Sequence, residues 1–246
     1  MKRVVLTLVF YLALLWLGSM LLLGSLASLL LVVVPKRWRE PFMREMAGRT
    51  FQLFLWGCER GGIMELDLTA LDALQGERGL VIVANHPSMI DVFLIVSRVR
   101  QCICLMKSSL GGNLFLGIGS RLAGYIPNRH VEVMIRQATQ AVAQGEVLLI
   151  FPEGTRTERP PLDALKPGAA LIARRAQVPL QTVVLERRSD YLTKGWPIWR
   201  PPLFPMRFQA RLGPRLQPEA SVPATVARVH EVLLKELADA AVSRHA

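Results

Sequence analysis

His86 and Asp91 stand five residues apart in Asn85-His86-Pro87-Ser88-Met89-Ile90-Asp91, and residues 151–156 read Phe-Pro-Glu-Gly-Thr-Arg. An imidazole titrates near neutrality and can take a proton from a hydroxyl. A carboxylate beside it fixes the tautomer and stabilises the imidazolium that forms. In a continuous helix a five-residue spacing would put the two side chains about 140° apart. The apolar run Leu80–Ala84 reads as a buried strand, however, and Pro87 suits the first turn of a helix. That places His86 at the mouth of a strand. Helical side chains lean back toward the N-terminus, so a carboxylate in the first turn or two can reach a ring held just before the helix. Hydroxyl activation is the chemistry this pair could do, although a lone His…Asp pair is more often incidental.

The second block removes much of that objection. Glu146–Phe151 reads as another buried strand, ending in Pro152-Glu153-Gly154-Thr155-Arg156. Gly154 lets a ligand approach the backbone, Arg156 offers a planar fork suited to phosphate, and Glu153 can accept hydrogen bonds from sugar or glycerol hydroxyls. Seen alone, Pro-Glu-Gly-Thr would be a simple turn. Two polar strand ends in one chain, one carrying a base and one suited to an anion, point to a shared site.

The elements needed to position them follow from periodicity. Strands are expected at Leu80–Ala84, Gln101–Met106, Gly124–Ile126, Glu146–Phe151 and Val178–Leu185, and helices at Ser88–Arg98, Val131–Gln144 and Gly168–Gln177. This alternation predicts an α/β fold, a mostly parallel sheet flanked by helices, with ligand chemistry at the strands' C-terminal ends. Residues 222–245 read as a closing amphipathic helix. Cys58, Cys102 and Cys104 form an odd count without zinc-site spacing and read as small buried residues in a reducing compartment. His130, His230 and His245 read as surface residues.

No charged residue occurs from Val4 to Pro35, a stretch longer than the roughly 20 residues one membrane span requires and longer than a signal-peptide core of about 7–15. One tilted span is the simpler reading; a hairpin broken at Gly18-Ser19 or Gly24-Ser25 is its rival. The denser basic flank Lys36-Arg37-Trp38-Arg39 favours a catalytic part on the cytoplasmic side of the inner membrane. Residues 1–40 thus read as a membrane anchor, 41–66 as an amphipathic interfacial helix and linker, and 67–246 as the catalytic domain. The net charge is +11, and seven basic residues lie between Arg187 and Arg215 against one acid, Asp190. Such patches suit anionic lipids, nucleic acids or phosphorylated cofactors equally; the apolar run selects lipids and argues against nucleic acid. Trp196, Trp199 and five prolines within 197–214 suit either a membrane-facing loop or a loop packed on the domain.

Four blocks of this sequence resemble, in order, those of the membrane-associated glycerolipid acyltransferases typified by 1-acylglycerol-3-phosphate acyltransferase. His86 to Asp91 matches the family's His-four-residues-Asp motif, and Gly124-Tyr125-Ile126-Pro127-Asn128-Arg129 resembles its second block. Phe151–Arg156 matches the third letter for letter, and Val178-Pro179-Leu180 begins the fourth; Lys107, Leu110, Lys166 and Gly168 resemble positions in between. The resemblance implies His86 as general base with Asp91 as its partner. It implies substrate binding by Asn85, Ser88, Lys107, Arg129, Glu153, Gly154, Thr155 and Arg156. The implied reaction moves an acyl group from acyl-CoA or acyl-carrier protein, as co-substrate, to the hydroxyl of a lysophospholipid. It needs no metal and no other cofactor, because a thioester is already activated. An oxyanion donor is expected from a backbone N–H in the turn after His86.

Gln181-Thr182 stand where the family has a further proline and Leu114 where it often has one, so the acceptor pocket's walls are expected to differ. The Asn-His-Pro-Ser form, Gly124–Asn128 and Leu192–Trp196 are similar to a bacterial subgroup associated with aryl polyene lipid pathways, which implies an aryl polyene or ornithine lipid precursor as the alternative acceptor. No Gly-x-Ser-x-Gly, P-loop or dinucleotide fingerprint occurs, which disfavours a serine hydrolase or a nucleotide-dependent enzyme. A non-catalytic membrane lipid-binding protein remains the rival outside enzymology.

Overall fold

The structure, a computed structural model, describes residues 1–242. It opens with helix α1 (Lys2–Ser28), which tightens into a 3-10 turn at Leu29–Leu31, followed by α2 (Lys36–Arg60). Then come β1 (Met64–Asp67), a 3-10 helix (Thr69–Leu74), β2 (Leu80–Ala84), α3 (Asp91–Arg98), β3 (Ile103–Met106) and a 3-10 helix (Ser108–Gly112). The chain continues through α4 (Gly117–Leu122), β4 (Ile126–Pro127), α5 (Val131–Ala143), β5 (Val147–Ile150), α6 (Gly168–Ala176), β6 (Leu180–Arg187), β7 (Met206–Leu216) and α7 (Val222–Val242). His245 and the expected end of the closing helix lie outside the described residues, as does the side chain of Leu110.

The seven strands form one sheet in the order β1-β7-β6-β2-β5-β3-β4, parallel except at the β6–β7 pair. β2 is central and wholly buried. Its side chains alternate between faces: Leu80, Ile82 and Ala84 join a core with α1, α2 and α3, while Val81 and Val83 join a second core with α5, α6 and α7. The expected mostly parallel sheet with flanking helices is therefore present, and so is the N-terminal apolar helix. Two strands were missed. β1 has only four residues. In β7, Met206, Phe208 and Ala210 are buried between outward Arg207, Gln209 and Arg211, an alternation hidden among basic residues and prolines.

β7 also corrects the reading of the basic segment. Arg207 pairs with Glu65, Arg211 with Glu186, Arg215 with Glu77, Arg187 with Asp190 and Lys194 with Glu158. Much of that charge is thus neutralised on the protein. Gln181 and Thr182 are buried in β6, where their side chains bond the carbonyls of Gly213 and Pro214 at a bulge. They brace β7, pairing beside Ile82 and Val83 rather than at a strand mouth.

An 18-residue stretch within Lys2–Leu31 has a mean hydropathy of 2.3, and α1 runs unbroken through Gly18 and Gly24. One face docks on the domain through Phe10 and Leu17, and α2 offers it glycines: a Cβ on Gly57 would overlap the Trp16 ring. The opposite face leaves Val4, Leu8, Leu12 and Leu15 exposed. The loop before β7 is packed on one side, with Phe204 against Phe10, and displays Trp199 and Leu203 on the other.

The expected boundary at residue 40 falls inside α2, because Pro35, at φ −54° and ψ 139°, starts that helix at Lys36. α2 is largely a core helix: Phe51, Phe54 and Leu55 are buried, as is Cys58, whose thiol burial pushes up to about 12. Cys102 and Cys104 are likewise buried. His130 is exposed and His230 half-buried.

Arg44, within the segment expected to form an amphipathic helix at the membrane interface, is buried. Its guanidinium bonds Glu146 at 2.6 Å and the carbonyl of Ala123 at 2.9 Å, tying α2 to the chain on either side of α5. Removing one partner of a buried charge network is strongly destabilising, less so here because Glu146 stays partly solvated. Arg44→Ala should cost about 2–3 kcal/mol, read as a lowered urea midpoint in detergent, whereas Arg49→Ala, an exposed i,i+4 pair with Glu45, should cost less than about 0.5 kcal/mol.

Candidate active site

Two neighbouring turns build the site, because β2 and β5 pair in register, Val83 opposite Ile150. At the end of β2 the Asn85 amide acts as an extra peptide group, donating to the Leu185 carbonyl at 2.9 Å and accepting the Leu185 N–H at 2.8 Å. This prolongs the β2–β6 ladder by one position and leaves His86 projecting beyond it. The His86 ring stacks on Phe151, centroids 4.0 Å apart and planes inclined by 22°.

His86 Nδ1 lies 2.9 Å from Asp91 Oδ2, and the same oxygen accepts the Ser88 N–H at 2.7 Å. The imidazole side chain is 15% exposed and the carboxylate 1%. An ionised carboxylate only accepts hydrogen bonds, so Nδ1 carries the proton and Nε2 is left as the basic nitrogen. Burial pushes the Asp91 carboxyl above its ordinary value, opposed by the hydrogen bond and charge of His86, then by the Ser88 N–H and Arg187. The pair sets an imidazole against an acceptor held out of water.

The turn differs from expectation in one respect. Helix α3 begins at Asp91, not near Pro87, and residues 86–90 are non-helical. Asp91 therefore sits at the helix's first position, which suits a carboxylate and lets its side chain reach back to His86. The five-residue spacing is thus set by a turn closed at Ser88, whose N–H meets the carboxylate and whose carbonyl accepts the Asp91 N–H. For the expected oxyanion donor, the N–H of Ile90 is the group in this turn with no acceptor among the described residues. Pro87 has no N–H, and those of Ser88, Met89 and Asp91 go to Asp91 Oδ2, Leu192 O and Ser88 O.

Glu153, expected to offer oxygens to a ligand, is 3% exposed and internally committed. Oε1 accepts the His86 N–H at 2.8 Å and the Thr157 hydroxyl at 3.1 Å; Oε2 accepts the Asp163 N–H at 3.0 Å. Asn85 and Ser88 are likewise buried, the Ser88 hydroxyl donating to Tyr191 O at 2.8 Å. Arg156 Nη1 bonds the carbonyls of Leu192 and Thr193, each at 2.9 Å. Gly154 has φ +72°, and an added Cβ would strike the Lys166 side chain.

Lys107, Arg129 and Thr155 are exposed. Lys107 follows β3 and Arg129 follows β4, and the Ser108 N–H bonds Asn128 Oδ1 at 2.9 Å, so these two cations leave adjacent strand ends. Leu114 lies exposed in the loop between them. The stacking role of Phe151 and the carbonyls of residues 191–193 were not foreseen; the first had no signal beyond an aromatic at a strand end, the second none.

Residues 65–186, which contain both turns, match the family described as Acyltransferase. Residues 65–186 thus resemble an acyltransferase domain. The chain is 29% identical over 153 residues to the mouse 1-acyl-sn-glycerol-3-phosphate acyltransferase alpha, covering 59% of this chain and 53% of that protein. It is 34% identical over 128 residues to the human beta form, covering 48% and 45%. The chain thus spans about half the length of these relatives. The crystal structure of the 1-acyl-sn-glycerophosphate acyltransferase PlsC from Thermotoga maritima superposes with a TM-score of 0.70 at 20% identity, over 97% of this chain and 95% of that one. That likeness bears on the fold.

Two outcomes follow from the buried carboxylates of this region. Glu153→Gln would turn a donor toward either the His86 or the Asp163 N–H, costing about 1–3 kcal/mol; activity should fall with the thermal midpoint. Burial favours the neutral form of Asp91, so the ionised group is a net cost that grows as pH rises through its raised pKa. Asp91→Asn should therefore gain in thermal midpoint relative to wild type as pH rises, while losing turnover; a relative midpoint that falls with rising pH would refute this.

Proposed function

We propose that this chain moves a fatty acyl group from a thioester, acyl-CoA or acyl-carrier protein, to the free hydroxyl of a lysophospholipid of the 1-acylglycerol-3-phosphate kind. The observation that carries this reading is the 2.9 Å contact between His86 Nδ1 and the sequestered Asp91 carboxylate, inside the acyltransferase-family region. Nε2 of His86 would take the hydroxyl proton as the oxygen attacks the thioester carbonyl. Collapse of the tetrahedral intermediate forms the ester, breaks the carbon–sulfur bond, and returns the proton from the imidazolium to the departing thiolate. Asp91 would stabilise the imidazolium between those steps. Lys107 and Arg129, exposed at neighbouring strand ends, would hold phosphate, as would the exposed Thr155. Glu153, Asn85 and Ser88 would act by holding the turns rather than by touching substrate.

The domain would sit at the cytoplasmic face of the inner membrane. Supporting this are the apolar outer face of α1, the basic flank after it, and Trp199 and Leu203 exposed on the loop packed beside Phe10.

His86→Ala should lower thiol release from acyl-CoA or acyl-carrier protein by about 10²–10⁴-fold, and Asp91→Asn by a comparable factor. An unchanged rate in His86→Ala sinks the base assignment, and no turnover with any donor–acceptor pair favours a lipid-binding scaffold. Mass spectrometry of lipids gaining an acyl chain would separate a glycerophospholipid acceptor from an aryl polyene or ornithine lipid precursor.

A further inference from the structure

Tyr191, Leu192 and Thr193 lie beyond the family-matched region, yet three successive carbonyls from this segment hold the catalytic turns. Tyr191 O accepts the Ser88 hydroxyl at 2.8 Å, Leu192 O accepts the Met89 N–H at 3.0 Å, and Arg156 Nη1 bridges Leu192 O and Thr193 O. Ser88 is one bond from the dyad, since its N–H donates to the Asp91 oxygen that holds His86. Leu192 has φ +59°, a left-handed conformation unfavourable for a side chain of its size, so tertiary contacts must enforce it.

The other side of this segment rests on the apolar helix. The Phe10 ring meets Tyr191 edge-on at 5.4 Å and 79°, and meets Phe204 at 5.7 Å. Phe10 is only 2% exposed on a helix whose Leu8, Tyr11 and Leu12 face outward. A side chain needed only for anchoring would sit on the outer face with those.

We propose that Tyr191–Thr193 is a positioning strap for the His86–Asp91 pair and that Phe10 seats it, so that docking of α1 sets turnover as well as location. The inference rests on the acyl-transfer reading for its rate effect but not for its structural link. Phe10 and Ser88 each act on the dyad through Tyr191. Their effects should therefore be coupled rather than independent.

The test uses the full chain reconstituted in vesicles of phosphatidylethanolamine and phosphatidylglycerol. Phe10→Ala and Ser88→Ala should each lower kcat by about five- to tenfold with KM for acyl-CoA nearly unchanged, and the double variant should be scarcely worse than either. Leu17→Ala, an equally truncated residue on the docked face of α1, should leave kcat within about twofold. Amide exchange in peptides covering Ser88 and Met89 should quicken in Phe10→Ala and not in Leu17→Ala, a readout that needs no turnover. If Phe10→Ala does not fold, Phe10→Leu carries the same comparison. Multiplying rate effects, or equal behaviour of the Phe10 and Leu17 variants, overturns the strap while leaving the loss in His86→Ala intact. Absence of turnover in wild type instead strikes the acyl-transfer reading, and amide exchange still decides the strap.

Discussion

Asp91 holds a carboxylate almost entirely out of water, where an ionised group is costly unless its oxygens are occupied. One oxygen is occupied twice, by the His86 ring and the Ser88 N–H, and the other is buried without a hydrogen-bond partner among the described residues. A group so placed favours a proton on itself or a positive charge beside it. In the proposed reaction the second demand is met when the imidazole becomes an imidazolium, so the environment that burdens the resting state favours the charged intermediate. The surrounding hydrogen bonds can be understood as what keeps that arrangement from relaxing.

Three independent supports meet at the turn. From β6, the Asn85 bridge fixes where β2 ends. From β5, Phe151 lies under the ring while Glu153 holds the His86 backbone. From beyond the sheet, residues 191–193 hold Ser88 and Met89. Glu153 serves two turns at once, since the same carboxylate fixes the N–H groups of His86 and Asp163. This explains how the letter-for-letter third block and the His-Asp block can be required together without Glu153 touching a ligand. The residues free to meet one, Lys107, Arg129 and Thr155, come from separate strand ends.

Much of this was legible in one dimension. Leu80–Ala84 is the observed strand to the residue, because a central parallel strand covered on both faces must be uninterruptedly apolar. Val131–Ala143 and Gly168–Ala176 fall within a residue of expectation, since their apolar periodicity and capping positions are local properties. Arg44 and the β7 arginines were misjudged for the opposite reason: their partners, Glu146, Glu65, Glu186 and Glu77, are distant in sequence, and composition cannot tell a solvated cation from a paired one.

The order of residues by itself determined the α/β class, the apolar N-terminal helix and the two strand mouths where a base and a glycine turn emerge. Each of these depends on the chemistry of short contiguous segments. Only the tertiary structure decided which polar groups remain available, because burial and hydrogen-bond satisfaction depend on segments brought from 67 to 103 positions away. Asn85 against Leu185 and Ser88 against Tyr191 are separations of 100 and 103 residues. Folding thus buried three residues expected to bind a ligand, Asn85, Ser88 and Glu153, and committed their side chains to hydrogen bonds around the His86–Asp91 pair.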